Sequence, residues 1–318
     1  MLVGLVANPT SSKDIRRLTT LARVIDVEEK ANLVARLLVG LASEKGIEVM
    51  ALDDSAALVR RAVGMAGASA PSLGFLPIEA QGDESDTRRA ATLLSNLDAD
   101  AIVTVGGDGT VRAAVEGWRD ARLVPIAAGT NNAFALTDEP SVIGMATACA
   151  VAERSGAAFK PTTAIEVDTT DGWALAVIDA VQVRGNWVGA GAIRDPADLV
   201  QGVVTSSRRT AVGIASVSAS FGALDPGHVR HLRFGGGHSV RAVFGPGLVL
   251  DVPVEDHEDL PIGAQLSLDG DGGMVALDGE RRLPARGGVV RVIKGPQVLD
   301  PEAALRDHRP CSVSSQKV

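Results

Sequence analysis

No tyrosine occurs among the 318 residues, and three tryptophans and six phenylalanines are the only aromatic side chains. Single-stranded nucleic acids are held by stacking bases on aromatic rings, and this chain offers few. Basic residues are also in deficit, 31 against 39 acidic ones, so the net charge is −8. A sequence-independent nucleic-acid binder needs a basic surface to displace counterions, and that class is excluded. Two cysteines, Cys149 and Cys311, are too few for a disulfide framework and point to a reducing cytoplasm. Cys149 lies in an apolar run and is expected to be a buried core thiol. No apolar run approaches the ~18 residues of a membrane span. The opening stretch 1–7 lacks the basic flank of a signal peptide and is stopped by Asn8-Pro9. The expectation is a soluble cytoplasmic protein with small-molecule substrates.

Several catalytic signatures are missing as well. There is no P-loop Gly-x-x-x-x-Gly-Lys-Ser/Thr and no Gly-x-Ser-x-Gly nucleophile elbow. Gly189-Ala190-Gly191 lacks the third glycine of a dinucleotide fingerprint. His228 and His231 form an H-x-x-H pair, but on a strand a spacing of three sends the rings to opposite faces, against a metal site. Asp269-Gly270-Asp271-Gly272 has no glutamate at EF-hand spacing and reads as a turn.

What is present changes character near the middle of the chain. Up to residue 153, short apolar runs (2–7, 47–52, 73–78, 101–105, 123–126) alternate with helical patterns (28–44, 54–63, 84–97, 111–118, 140–153). Such alternation implies right-handed crossovers and a doubly wound parallel sheet. Beyond residue 156 the chain reads as short strands between Gly, Asp and Pro turns, and 20 of its 35 glycines lie between 185 and 295. Candidate strands there include 164–167, 173–183, 203–205, 211–217, 229–234, 240–244, 248–252, 264–268, 274–277 and 289–293. The expected fold is α/β, with a nucleotide-binding domain over 1–155, joined again by 298–318, and a β-rich domain over 156–297.

The strongest motif is Gly106-Gly107-Asp108-Gly109-Thr110, directly after an apolar strand. Glycines let main-chain N–H groups approach a phosphate, and a following helix adds partial positive charge. Asp108 suits either a magnesium ion or the proton of an acceptor hydroxyl, and both roles stay open. Asp108→Asn is expected to keep the loop shape while removing charge. A bare Gly-Asp-Gly is more often a plain turn; the full pentapeptide after a buried strand is the departure from that. Gly129-Thr130-Asn131-Asn132-Ala133-Phe134 follows the next strand, which places both loops at one carboxyl edge, where open α/β sheets bind ligands. Asn8, Ser11 and Lys13 follow the first strand at the same edge, either as phosphate contacts or as a solvated loop. Asp278-Gly279-Glu280 in the second half reads by itself as a hairpin turn.

The two glycine loops together resemble those of the NAD kinase and diacylglycerol kinase superfamily. The stretch 4–18 is similar to the ATP-NAD kinase-like branch that includes acetoin-catabolism protein X. The resemblance implies an ATP- and Mg²⁺-dependent kinase, with NAD the leading acceptor and NADP formation the consequence. It implies ATP phosphates against Gly106, Gly107, Gly109 and Thr110, with Asp108 the essential carboxylate. Asn131 and Asn132 would lie against nucleotide or acceptor, and Asp278 and Glu280 would approach the cleft from the second domain. NAD kinases also carry an Asn-Glu pair that holds the acceptor; none occurs here, and Asp179 in Ile178-Asp179-Ala180 is nearest by position. The alternatives are a diacylglycerol-type lipid kinase and a nucleotide-binding regulatory protein without turnover. The aromatic-poor second half leads to the further expectation of a homo-oligomer.

Overall fold

Five apolar runs of the first half become β1 (Leu2–Ala7), β2 (Glu48–Ala51), β3 (Ser72–Phe75), β4 (Ala101–Gly106) and β5 (Arg122–Ala127). Between and after them lie α1 (Val27–Leu41), α2 (Leu58–Ala66), α3 (Glu84–Asn96), α4 (Asp108–Gly117) and α5 (Pro140–Ala152). The computed structural model describes residues 1–11, 20–129, 132–154, 156–185, 193, 195–268, 273–279 and 281–306.

The strands pair in parallel in the order β3-β2-β1-β4-β5. Their side chains alternate between two cores, as the pleat requires. Val3, Leu5, Val103 and Val105 pack with α1, α2 and α5, whereas Val6 and Ile102 pack with α3 and α4. Asp26 caps α1 through the Glu29 N–H, and the helix stops at Leu41, short of the expected residue 44. Asp54 was expected to open α2, which instead starts at Leu58 after Ala57 in the left-handed region. The Asp54 carboxylate still caps it from outside, accepting from the N–H groups of Leu58 and Val59 at 3.0 Å each.

The second half forms β6 (Phe159–Thr169), β7 (Gly172–Ala176), β8 (Asp179–Val183), β9 (Leu199–Val204), α6 (Ile214–Ser218), β10 (His228–Gly245), β11 (Leu248–Pro261), β12 (Gln265–Ser267), β13 (Met274–Leu277), β14 (Arg281–Pro284), β15 (Val289–Leu299) and α7 (Pro301–Arg306). A separate antiparallel sheet runs β11-β10-β9-β8-β13-β14. The larger sheet does not stop at residue 155. β15 pairs in parallel with β5 through Gln297 and Val298, and antiparallel with β6, to which β7 adds. α7 then packs against α5. The chain is thus α/β, a doubly wound parallel sheet continued by antiparallel strands, with a second antiparallel sheet beside it.

Two expectations change here. The strand expected over 211–217 is instead the short helix α6. Its Ile214, Ala215 and Val217 are all buried, so the apolar run carried no helical period. The run 173–183 breaks into β7 and β8, which belong to different sheets. No helix among the described residues is long and apolar enough to cross a membrane.

Candidate functional site

β4 ends at Gly106, Gly107 is the N-cap, and α4 begins at Asp108, three residues before the helix expected from Val111. Asp108, Gly109 and Thr110 therefore form the first turn of α4, where negative charge is favoured, and the Thr110 N–H donates to Gly107 O at 3.0 Å. Asp108 is 7% exposed, and its carboxylate accepts from the N–H of Ala133 (Oδ2, 3.0 Å) and of Phe134 (Oδ1, 3.1 Å). The carboxylate thus joins the two glycine loops across the sheet edge. It also takes up two N–H groups of the second loop, which are not presented to a phosphate there.

The second loop leaves β5 through Ala128, whose N–H donates to Gly106 O at 2.8 Å. A Cβ on Gly129 would stand 2.5 Å from Gly107 Cα, so only glycine allows the two loops this approach. Asn132 folds back on the loop: its Oδ1 accepts from the Gly129 N–H, and its amide donates to Gly129 O, both at 3.0 Å. The β1 loop is locked to the same edge. Asn8 Nδ2 donates to Thr110 Oγ1 at 2.9 Å, and the Ser11 hydroxyl lies 3.0 Å from Asn8 O and 3.1 Å from Ala128 O. Lys13, Thr130, Asn131 and Glu280 lie outside the described residues.

A residue the sequence reading passed over sits behind this edge. Lys30 of α1 is 1% exposed, and its ammonium donates to the main-chain oxygens of Asn8 (3.2 Å), Pro9 (3.0 Å) and Ser11. A buried ammonium is costly unless hydrogen-bonded, and these carbonyls supply the partners. The signal was available: Lys30 occupies the same helical face as Val34, Leu37 and Leu41, a charge in a core stripe.

Asp278 does not open onto a cleft. Its side chain is fully buried, in the left-handed region at φ 48°, in the hairpin turn between β13 and β14. The carboxylate reaches back to accept from the N–H groups of Val177 (3.0 Å), Ile178 (2.7 Å) and Asp179 (3.3 Å), at the break between β7 and β8. Arg112, on α4 one turn beyond Asp108, stands 3.8 Å away and also meets Glu84 and Glu116. Burial pushes the Asp278 carboxyl up to about 6, against the opposing pull of Arg112 and the three N–H groups. Asp179 is 9% exposed and belongs to this buried turn. The Asp278 carboxylate therefore sets the position of Ile178, and Asp179 joins the arrangement through its own N–H. The cleft itself, about 500 Å³, is lined by Ala133, Phe134, Ile178 and the loop 205–208, among others.

Of the histidines, His231 is buried between Glu258 and Gln201, while His228 borders the cleft. Among the described residues no cluster of His, Cys, Asp and Glu could hold a metal ion unaided. Cys149 is fully buried, and burial raises its thiol to about 11.

Residues 3–153 match the ATP-NAD kinase N-terminal domain, and residues 163–293 match the acetoin catabolism protein X C-terminal domain. Two solved structures of a candidate diacylglycerol kinase from Bacillus anthracis str. Sterne align at TM-scores of 0.48 and 0.46, with 13% and 12% identity. Each covers 93% of this chain, and the chain covers 97% and 96% of theirs. Acetoin catabolism protein X of Cupriavidus necator is 32% identical over 312 residues, spanning 89% of this chain and 84% of that protein. With an NAD kinase-like first half and this likeness over 89% of its length, the chain belongs to the acetoin catabolism protein X family.

Proposed function

We propose that the protein is an ATP- and magnesium-dependent phosphotransferase of the NAD kinase type that phosphorylates a hydroxyl, with NAD the leading acceptor. One observation carries the reading. Asp108 sits in the first turn of α4 with its carboxylate bridging two glycine loops at the edge of neighbouring parallel strands. Phosphoryl transfer is mostly positioning and charge neutralisation, which suits such loops. Donor phosphates would meet Gly106, Gly107, Gly109 and Thr110, with Asn8, Ser11 and Asn132 shaping the surrounding edge.

Magnesium takes hard oxygen ligands, commonly one or two carboxylates with nucleotide phosphates supplying others. Asp108 offers two hard carboxylate oxygens at that edge, each also accepting a main-chain N–H, from Ala133 or Phe134. The residues present therefore fit an ion that arrives with its nucleotide, held by Asp108, where it would neutralise phosphate charge. Asp108 itself keeps the second loop against α4.

The second reading is a nucleotide-binding protein without turnover. The engagement of both Asp108 oxygens by main-chain N–H groups favours it, because the carboxylate already has a structural task. The test is an assay with ATP and Mg²⁺ against NAD, NADH, diacylglycerol and sphingoid bases, alongside calorimetric ATP binding. Phosphorylated NAD supports the leading reading, and phosphorylated diacylglycerol transfers it to a lipid kinase. ATP binding without product supports the second reading, and neither binding nor product removes both. The reading includes a homo-oligomer, which a monomeric mass by light scattering at micromolar concentration would eliminate.

A further inference from the structure

The cleft beside the Phe134 loop has walls of two chemical kinds. On one side, main-chain polar groups are already engaged. Asp108 holds the N–H groups of Ala133 and Phe134, and Asp278 holds those of Val177 and Ile178. The carbonyls of Val177 and Ile178 receive the Thr205 hydroxyl at 2.7 and 3.2 Å, and Ile178 O also receives the Thr205 N–H at 2.8 Å. What these segments contribute to the lining is then chiefly side chain: Phe134 and Ile178, beside Pro161 and Val298. That wall carries one flat ring, with Thr162 and Thr163 following Pro161 in the lining.

On the other side is the loop after β9. Thr205 anchors it to the turn at 177–178, and the Ser207 hydroxyl anchors it again by accepting from the Leu224 N–H at 2.8 Å. Between and beyond these anchors Ser206, Ser207 and Arg208 line the cleft. Arg208 is exposed and forms no ion pair with a described residue. Asp225 also lines the cleft, and the Leu224–Ser207 hydrogen bond ties its segment to the Arg208 loop. His228 borders the same space.

We propose that this cleft is the acceptor subsite, and that it selects a molecule joining a flat-ring or acyl body to a phosphate or carboxylate read by Arg208. The inference rests on the phosphotransferase reading for the word acceptor. The binding preference stands apart from turnover. A guanidinium offers planar, paired donors that match such anions, and a cleft of about 500 Å³ falls in the range of small-molecule sites.

The test uses two ligand pairs that differ by one phosphate, with binding measured by calorimetry on the full chain. Nicotinamide mononucleotide is compared with nicotinamide riboside, and lysophosphatidate below its micellar concentration with monoacylglycerol. The expected result is a preference of about 10-fold or more for the phosphorylated member of one pair. The pair that shows it identifies a ring or an acyl body. Arg208→Gln should reduce that preference to less than about 3-fold, whereas Arg209→Gln, the same charge loss one residue outside the lining, should leave it in place. Absence of preference in both pairs, its survival in Arg208→Gln, or equal loss in Arg209→Gln overturns the proposal. Adding ATP and Mg²⁺ separates the two readings. A preference governed by Arg208 without any phosphorylated product leaves the subsite standing and removes the kinase.

Discussion

Arg112 Nη1 stands 3.8 Å from Asp278 Oδ2, an ion pair between the helix that carries Asp108 and the turn that shapes Ile178. Asp108, Arg112 and Glu116 recur every four residues on α4, so one helical face addresses both walls of the cleft. The second loop is tied to its first turn and the β7–β8 break to its second. Small shifts of α4 relative to either wall are therefore resisted by buried charges.

Removing Arg112 takes away the cation that faces the buried Asp278 carboxyl. Arg112→Met should cost about 3 kcal/mol in urea denaturation. Combined with Asp278→Asn, the loss should fall short of the two single losses added together by at least ~1 kcal/mol. Strict additivity would show that the two side chains are not coupled.

The raised Asp278 carboxyl makes stability depend on pH. The unfolded chain releases this proton near 3.8, whereas the native protein keeps it until about 6. Its contribution is therefore fully present below the unfolded value and is lost as pH rises through about 6, with a slope of up to ~1.4 kcal/mol per pH unit. Urea midpoints across roughly pH 4.5 to 7.5 should show this slope in the native sequence and lose it in Asp278→Asn. Parallel profiles for the two proteins would refute it.

Asp108→Asn has a consequence beyond the charge. An amide has one acceptor oxygen, so the N–H of either Ala133 or Phe134 would face an NH₂ donor. The expectation from sequence, an undisturbed loop, is replaced by a destabilisation of about 1–3 kcal/mol. Turnover on any acceptor should fall at least ~10²-fold. An unchanged melting curve together with native turnover would reduce Asp108 to a turn residue.

Lys30→Met keeps the length of the side chain but removes the donor for the carbonyls of Asn8, Pro9 and Ser11. Amide exchange at Asn8, Thr10 and Ser11 should accelerate by at least ~10-fold, while β1 and α1 interiors stay protected. ATP affinity should weaken in step. Uniform acceleration across the chain would instead mark a general loss of stability.

The first half was legible because β1, β4 and β5 are buried on both faces and α1 carries an apolar stripe. β1 falls on the expected residues, β4 runs one residue further at its end, and β5 one residue further at each end. Both glycine loops lie at one edge, as strand adjacency required. The second half was less legible where burial erased periodicity, as at α6, or where a break depended on a distant side chain. Nothing local marks Val177 and Ile178 as the end of β7; Asp278, about a hundred residues on, takes their N–H groups. Asp278-Gly279 was readable as a hairpin, and that reading agrees with its backbone. Its inward carboxylate was not readable, since only the tertiary fold brings Arg112 beside it. Lys30 was readable in principle, as a charge on a core face.

The pairing of β15 with β5 also bears on the order in which the protein can be made. Arg122 and Leu123 meet partners about 175 positions later, Gln297 and Val298. While a ribosome is still extending the chain, the first five strands can wind with their helices, but β5 remains an open rim of unpaired amides. Its partner emerges only after the whole intervening β-rich stretch has been made. Closure of the larger sheet therefore waits for that stretch, and non-local pairing of this kind is intrinsically slow. A chain truncated before residue 289 would leave that rim exposed, inviting strand-to-strand aggregation rather than a smaller folded unit.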